Sequence, residues 1–296
     1  MLAELKSAVE DLIAEKTEIR STIIADRSAS GGCIHSACSV ELQDGRVFFL
    51  KSNASISVEM FEREAAGLTT LADASVLKVP GLIGTSTSSN GVAFLLIEHI
   101  ETGAKSAETM HDFGARLAEL HRTATAERFG FDHDNYIGST PQSNTWNEDW
   151  CEFWREERIG YQLRLAKDQG LSTRQLEQAG EKFLQRIDDW LSQPDEPPSL
   201  LHGDLWSGNY MVDDSGAAVL IDPAVYYGRR EAELAMTQLF GGFSQDFYSA
   251  YDEAWPLTDG ADERIEIYTL YHLLNHLNLF GSSYLSGCLS ILQKYA

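Results

Sequence analysis

One stretch constrains this chain more than any other: Leu201-His202-Gly203-Asp204-Leu205-Trp206-Ser207-Gly208-Asn209, followed by Val219-Leu220-Ile221-Asp222-Pro223-Ala224. Five steps separate Asp204 from Asn209 and thirteen separate Asn209 from Asp222. Phosphoryl-transfer loops place those separations between a catalytic Asp, a metal-binding Asn and a second metal-binding Asp. Such a reaction asks for little covalent work, so the protein must position a hydroxyl nucleophile and neutralise charge through Mg²⁺. Asp204 can take the hydroxyl proton, and Asn209 and Asp222 offer hard oxygen ligands. Tyr210-Met211-Val212 and Ala218-Val219-Leu220-Ile221 have strand character around the turn Asp213-Asp214-Ser215-Gly216. A hairpin there carries Asn209 and Asp222 back to one end. Singly, each residue is more often a turn Asp or a capping Asn. The spaced set is what points to phosphoryl transfer.

The run His202-Gly203-Asp204-Leu205-Trp206-Ser207-Gly208-Asn209, with Asp222-Pro223-Ala224-Val225-Tyr226-Tyr227-Gly228 and Leu239-Phe240-Gly241-Gly242-Phe243, closely resembles the fructosamine kinase (ketosamine 3-kinase) family. The segment Asn135-Tyr136-Ile137-Gly138-Ser139-Thr140-Pro141 resembles it again. The His-Gly-Asp pattern alone would mark only the wider aminoglycoside-phosphotransferase-like and choline-kinase-like group. The resemblance implies an α+β, two-lobed protein-kinase-like fold, with a small β-rich N-lobe over residues 1–101 and a larger, mainly helical C-lobe over 102–296. It also implies ATP and Mg²⁺ as cofactors and phosphorylation of the sugar 3-hydroxyl of fructosamine or ribulosamine adducts, on glycated protein lysines or on small-molecule amines. Such 3-phosphates are unstable and shed the sugar, so the implied role is deglycation repair. Asp204 is then the base, Asn209 and Asp222 the metal ligands, and Lys51 with a helix glutamate the phosphate clamp.

Length and charge agree. The 296 residues suffice for a sizeable core in one large domain or two lobes. Lys+Arg 23 against Asp+Glu 45 gives a formal net charge of -22, which repels phosphate backbones and anionic lipid headgroups and leaves nucleic acid and membranes as poor partners. Four cysteines without paired spacing suit a reducing cytoplasm rather than a disulfide scaffold. Acidic residues interrupt the apolar ones near Met1, and no apolar run approaches bilayer length, so neither export nor membrane insertion is expected.

Along the chain, Leu5, Val9, Leu12 and Ile13 recur at helical spacing and predict an amphipathic helix over residues 2–17. Cys38 to Leu42 and Val47 to Lys51 read as a hairpin around Gln43-Asp44-Gly45-Arg46. Before it, Ser28-Ala29-Ser30-Gly31-Gly32-Cys33-Ile34 stands where a kinase-like fold puts its phosphate-covering loop, with Gly31 and Gly32 as nucleotide-binding candidates, although an ordinary turn has the same composition. Cys33 in such a loop could link two chains on oxidation, so a monomer and a redox-linked dimer both stay open. Lys51 is an end-of-strand charge that in this architecture would reach the α- and β-phosphates. The helix beginning at Ser57 offers Glu59, Glu62 and Glu64. Glu64 best matches the family's helix acid, and Glu62 stays open. By resemblance, the strand Gly91 to Ile100 ends in a hinge at Glu98, His99 and Ile100 whose backbone meets adenine.

In the second half, Met110, Phe113, Leu117 and Leu120 predict a helix, Trp150 and Trp154 read as core, and Ser172-Thr173-Arg174-Gln175 has the form of a capping box. Ala179, Phe183, Ile187 and Trp190 continue that helix's buried face. Glu233, at the start of a later helix, resembles the family acid that holds the catalytic-loop backbone. His272 and His276 lie one turn apart but lack the glutamate of a zinc-binding HExxH pair. Trp206, two residues after Asp204, has an aromatic face that could hold a ketosamine or could simply pack the loop. The competing readings are a kinase of the same fold acting on an aminoglycoside or choline-like hydroxyl compound, and a catalytically silent binding protein.

Overall fold

A computed structural model describes residues 1–28 and 35–296, so the proposed phosphate-loop residues Gly31 and Gly32 and the redox candidate Cys33 lie outside the described residues. In chain order the elements are α1 (Ala3–Thr17), β1 (Ile23–Ser28), β2 (Ser36–Leu42), β3 (Val47–Asn53), α2 (Val58–Ala74), β4 (Leu82–Thr87), β5 (Ala93–Glu98), α3 (Ala107–Thr123), β6 (Asn135–Ile137), β7 (Thr140–Gln142), α4 (Trp150–Phe153), α5 (Tyr161–Asp168) and α6 (Arg174–Leu191). They continue as β8 (Ser199–Leu201), β9 (Tyr210–Val212), β10 (Ala218–Leu220), β11 (Tyr226–Gly228), α7 (Arg230–Leu239), α8 (Gln245–Ala254), α9 (Ala261–Phe280) and α10 (Leu285–Tyr295). A π-helical stretch, Trp154–Gly160, joins α4 to α5.

The chain divides into two compact units, Met1–Ser106 with Tyr210–Asp222, and Ala107–Asn209 with Pro223–Ala296. The first unit is built on a five-stranded antiparallel sheet in the order β1-β2-β3-β5-β4. Strand periodicity gives that sheet two apolar faces. Leu50, Phe94 and Leu96 meet Leu5, Val9, Leu12 and Ile13 of α1, whereas Ala93, Leu95 and Ile97 meet Phe61, Ala65 and Leu68 of α2. Lys51 follows Leu50 and therefore points to the α2 face. Strand β3 runs on to Asn53, so Lys51 lies two residues inside its end rather than at it. Ser57 caps α2, its hydroxyl accepting the Glu59 amide at 3.1 Å.

The hairpin β9-β10 also belongs to this unit, with Tyr210 opposite Leu220. It is fastened there by local bonds: the Gly103 amide donates to the Val212 carbonyl at 2.8 Å, the Leu220 amide to the Lys78 carbonyl at 2.8 Å, and Lys78 Nζ meets Asp213 Oδ2 at 2.9 Å. A cut of the chain at residue 101 would not anticipate this return.

The second unit is mainly helical. Trp150 and Trp154 are core residues, packed with Phe153 and Tyr268, and the Trp150 indole donates to Tyr268 Oη at 2.8 Å. The N-cap of α6 is Thr173, whose hydroxyl accepts the Leu176 amide at 3.2 Å, one residue later than the capping-box pattern implies. Trp190 is half-buried, its indole donating to the Tyr295 carbonyl at 3.1 Å. Arg264 of α9 forks onto both carboxylate oxygens of buried Glu231 in α7, each at 2.7 Å, which fixes α7 against α9. No helix among the described residues is long and apolar enough to cross a membrane.

Buried His272 on α9 gives the fold a pH dependence. Burial first, then His276 and Arg158, pull its imidazole down to about 3. The unfolded chain, with an ordinary value of about 6.5, therefore binds the extra proton between those two values. The native state is favoured above roughly pH 6.5 and loses up to about 1.4 kcal/mol per pH unit from this group as pH falls toward 3. Urea unfolding at pH 7 and pH 5 should show a smaller acid loss in His272→Leu than in the parent protein.

Candidate functional site

The first unit contributes a buried cation between carboxylates. Positions 61, 65, 68 and 71 of α2 face the sheet, and Glu64, three after Phe61 and four before Leu68, shares that face. Lys51 Nζ meets Glu64 Oε1 at 2.6 Å and also contacts Asp222 Oδ1. Glu62 is exposed on the other side of α2, which resolves the choice in favour of Glu64. Burial works against the Lys51 charge, but Glu64 and Asp222 outweigh it and hold the ammonium above its ordinary value. Asp222 has a φ of 57°, a left-handed conformation that non-glycine residues adopt mainly at turns and functional sites. At the predicted hinge, the Glu98 amide donates to the Gly81 carbonyl at 2.7 Å and its carboxylate accepts the Gly81 amide at 3.0 Å. Glu98 thus ties β5 to the chain entering β4, His99 stands 3.6 Å from Glu101, and Ile100 is buried.

The second unit contributes the catalytic-type loop. Its rigidity comes from Glu233 on α7, which accepts the His202 amide at 2.5 Å and the Gly203 amide at 3.2 Å. This is the holding role expected of Glu233. Fully buried His121 approaches the same carboxylate at 3.8 Å through Nε2 and contacts Tyr251 Oη at 2.9 Å through Nδ1, while its burial lowers its affinity for a proton. Gly203, at φ 85°, passes so close to Ala224 that an added Cβ would stand 2.1 Å from the Ala224 carbonyl oxygen. Glycine is therefore required there. The Ala224 amide in turn donates to the His202 carbonyl at 2.8 Å.

Asn209 closes the loop. Its Nδ2 donates to the Asp204 carbonyl at 2.9 Å and to Asp204 Oδ2 at 3.0 Å. The first contact fixes the Asp204 backbone and the second its carboxylate, and together they leave the amide oxygen of Asn209 as the atom that a hard cation can take. Trp206 is half-buried, lies over Gly208 and meets Phe240 edge-on at 6.4 Å.

Sequence reasoning missed the buried network behind this loop. Asn135 Nδ2 donates to the Val225 carbonyl at 2.8 Å, and Gln142 Nε2 to the Ala224 carbonyl at 2.9 Å. Tyr271 Oη donates to Gln142 Oε1 at 2.7 Å, and Asn144 links Asn135 to fully buried Arg158. Arg158 lies in the π-helical stretch with its guanidinium 4.1 Å from the Tyr226 ring centre. The available signal was the polar Asn135 and Gln142 in short strands, which fixes no partner without the fold. His276 Nδ1 contacts the His272 carbonyl at 2.8 Å, so that ring nitrogen is engaged with backbone.

The family profile described as fructosamine kinase matches residues 5–296. The protein-ribulosamine 3-kinase, chloroplastic, of Arabidopsis thaliana is 41% identical over 290 residues, covering 97% of this chain and 88% of the relative. A Haemophilus somnus structure assigned as a fructosamine-3-kinase superposes with a TM-score of 0.88 at 29% identity, covering 97% of this chain and 96% of the other. An aminoglycoside phosphotransferase in ternary complex with ADP and hygromycin B shares the fold at 15% identity and a TM-score of 0.68, covering 98% of this chain and 99% of its own.

Glu233→Gln keeps the shape of the acceptor and removes its charge. Steady-state kinetics should show kcat lowered about 10- to 100-fold, the range for groups that orient a reactive ligand. The KM for ATP should change little, because Lys51 and Glu64 are untouched. An unaltered kcat would remove Glu233 from the positioning of the loop.

Proposed function

The chain belongs to the fructosamine kinase family, and we propose that Asp204, Asn209, Asp222, Lys51 and Glu64 carry its transfer of the ATP γ-phosphoryl group to the 3-hydroxyl of a ketosamine. It is an ATP-dependent phosphotransferase with an alcohol acceptor, a ketosamine 3-kinase. The observation that carries the residue assignment is the Asn209 to Asp204 contact at 3.0 Å, on a loop whose amides are held by Glu233.

Asp204 accepts a hydrogen bond from the sugar 3-hydroxyl and takes its proton as the new O–P bond forms. The bond to the ADP oxygen breaks in the same displacement, giving the 3-phosphate ester and ADP, and Asp204 then loses its proton to water. Lys51, kept charged by Glu64, holds phosphate oxygens. Asn209 and Asp222 supply the hard oxygens that suit Mg²⁺. When bound, that ion neutralises phosphate charge as the bonds change. Backbone groups from Glu98 to Ile100 receive adenine, and the exposed part of the Trp206 indole lies against the ketosamine.

The unstable 3-phosphate releases the amine, which makes the reaction a deglycation step on free ketosamines or glycated lysines. A cytoplasmic location agrees with Cys38, Cys151 and Cys288 as free thiols, although the plant relatives are chloroplastic. The net charge of -22 disfavours nucleic acid and anionic membranes as partners.

ATP turnover against ribulosamines, fructosamines and an aminoglycoside tests the substrate class, with the ketosamines expected to be turned over. Asp204→Asn should bind ATP and lose about 10²- to 10⁴-fold in kcat, and Asp222→Ala should lose Mg²⁺-dependent nucleotide affinity. Parent-rate turnover by Asp204→Asn would refute the base.

Trp206→Ala separates contact from packing. A substrate contact predicts a raised KM for ketosamine at unchanged KM for ATP. Pure packing predicts a lower melting temperature with both KM values disturbed together.

A further inference from the structure

Among the described residues, the second unit exposes two large apolar side chains, Phe240 at 41% and Phe280 at 52%. Single exposed apolar residues are ordinary, but these two converge on one ring. His276 lies 4.8 Å from Phe240 and 5.4 Å from Phe280, ring centre to ring centre, and Tyr284 adds a fourth ring at 5.1 Å from His276. At its other end Phe240 meets Trp206 of the catalytic loop at 6.4 Å. The strip is held in place: His276 Nδ1 contacts the His272 carbonyl at 2.8 Å. Gly242, at φ 94° beside Phe240, is packed against Ser207, where an added Cβ would come within 2.3 Å.

We propose that the strip Trp206–Phe240–His276–Phe280, flanked by Tyr284, docks the polypeptide that carries a ketosamine-modified lysine. The inference rests on the ketosamine kinase reading and adds the surface on which the polypeptide of a protein-borne substrate lies. Its first support is continuity, because the strip begins two residues after Asp204 and runs ring to ring from Trp206 through Phe240 and His276 to Phe280. Its second is reach. Four rings at successive spacings of 6.4, 4.8 and 5.4 Å offer more aromatic surface than one lysine arm covers, so the rings beyond Trp206 are left for backbone and neighbouring side chains, at about 3.3–3.6 Å per extended residue. Its third is charge. Aromatic faces hold the methylenes and ammonium groups of lysine-rich chain, and a protein of net charge -22 attracts such chain.

The test uses the full chain with Phe280→Ala, which alters an exposed ring far along the strip, and Phe280→Trp, which restores an aromatic face. Substrates are free ribulosyl-lysine and ribulosyl-lysine within an unstructured lysine-rich decapeptide. Phe280→Ala should raise the KM for the peptide about tenfold, the size of effect expected for an aromatic anchor, while the KM values for free ribulosyl-lysine and ATP stay within about twofold. Phe280→Trp should return to the parent value. Equal KM shifts for both substrates, or none for the peptide, would overturn the docking strip and leave the kinase reading standing. Fluorescence anisotropy with the labelled, unmodified peptide needs no turnover. If the parent phosphorylates neither substrate, the kinase reading falls, and the strip stands or falls on whether Phe280→Ala weakens that binding.

Discussion

A buried carboxylate, Glu233, sets the terms for the second unit. An isolated ion in its position would cost several kcal/mol in desolvation. The cost is offset because both oxygens accept backbone amides, from His202 at 2.5 Å and Gly203 at 3.2 Å. Those amides belong to the segment that presents Asp204, so the charge that needs satisfying and the loop that needs holding are solved by the same bonds. Around them, Gly203 leaves no room for a side chain against Ala224, and the Arg264 fork on Glu231 fixes the helix from which Glu233 projects.

The first unit follows the same principle with the signs reversed. Lys51 is a cation in a nearly closed environment, retained because Glu64 and Asp222 surround it. The alternation of β3 aims it at α2, and the helical period of α2 places Glu64 toward it. The hairpin β9-β10 joins this unit through the Gly103 and Leu220 amides and the ion pair of Lys78 with Asp213, which brings Asp222 to Lys51. An acid distant in sequence thereby becomes a neighbour of the strand lysine.

The polar network of Asn135, Gln142, Asn144, Arg158 and Tyr271 performs a different task. It supplies side-chain partners to the Ala224 and Val225 carbonyls, which have left the β9-β10 hairpin and precede β11. Buried carbonyls without partners are costly, and amide side chains can meet them where no strand pairs. The Arg158 guanidinium donates to the Ser143 carbonyl and to Asn144 Oδ1 and lies over the faces of Tyr226 and Phe153, which accommodate its charge. The outer aromatic surface, from Trp206 to Phe280, is of another kind, since its rings remain partly open to solvent.

The sequence alone determined the spacing of the residues proposed for the chemistry and much of the local structure. The separations of Asp204, Asn209 and Asp222 follow from covalent order, and the period of α2 and the turn residues of β9-β10 are short-range properties, so they are legible without coordinates. The resemblance supplied the kinase-like fold, which the solved relatives share. Tertiary structure alone decided that Glu64 rather than Glu62 meets Lys51, that residues 210–222 belong with the first unit, that Thr173 rather than Ser172 caps α6, and that Gln142 and Asn135 serve carbonyls more than eighty residues away. The physical reason is that periodicity and turn chemistry act over a few residues, whereas the partner of a buried polar group is whichever group the packed chain brings within hydrogen-bond reach.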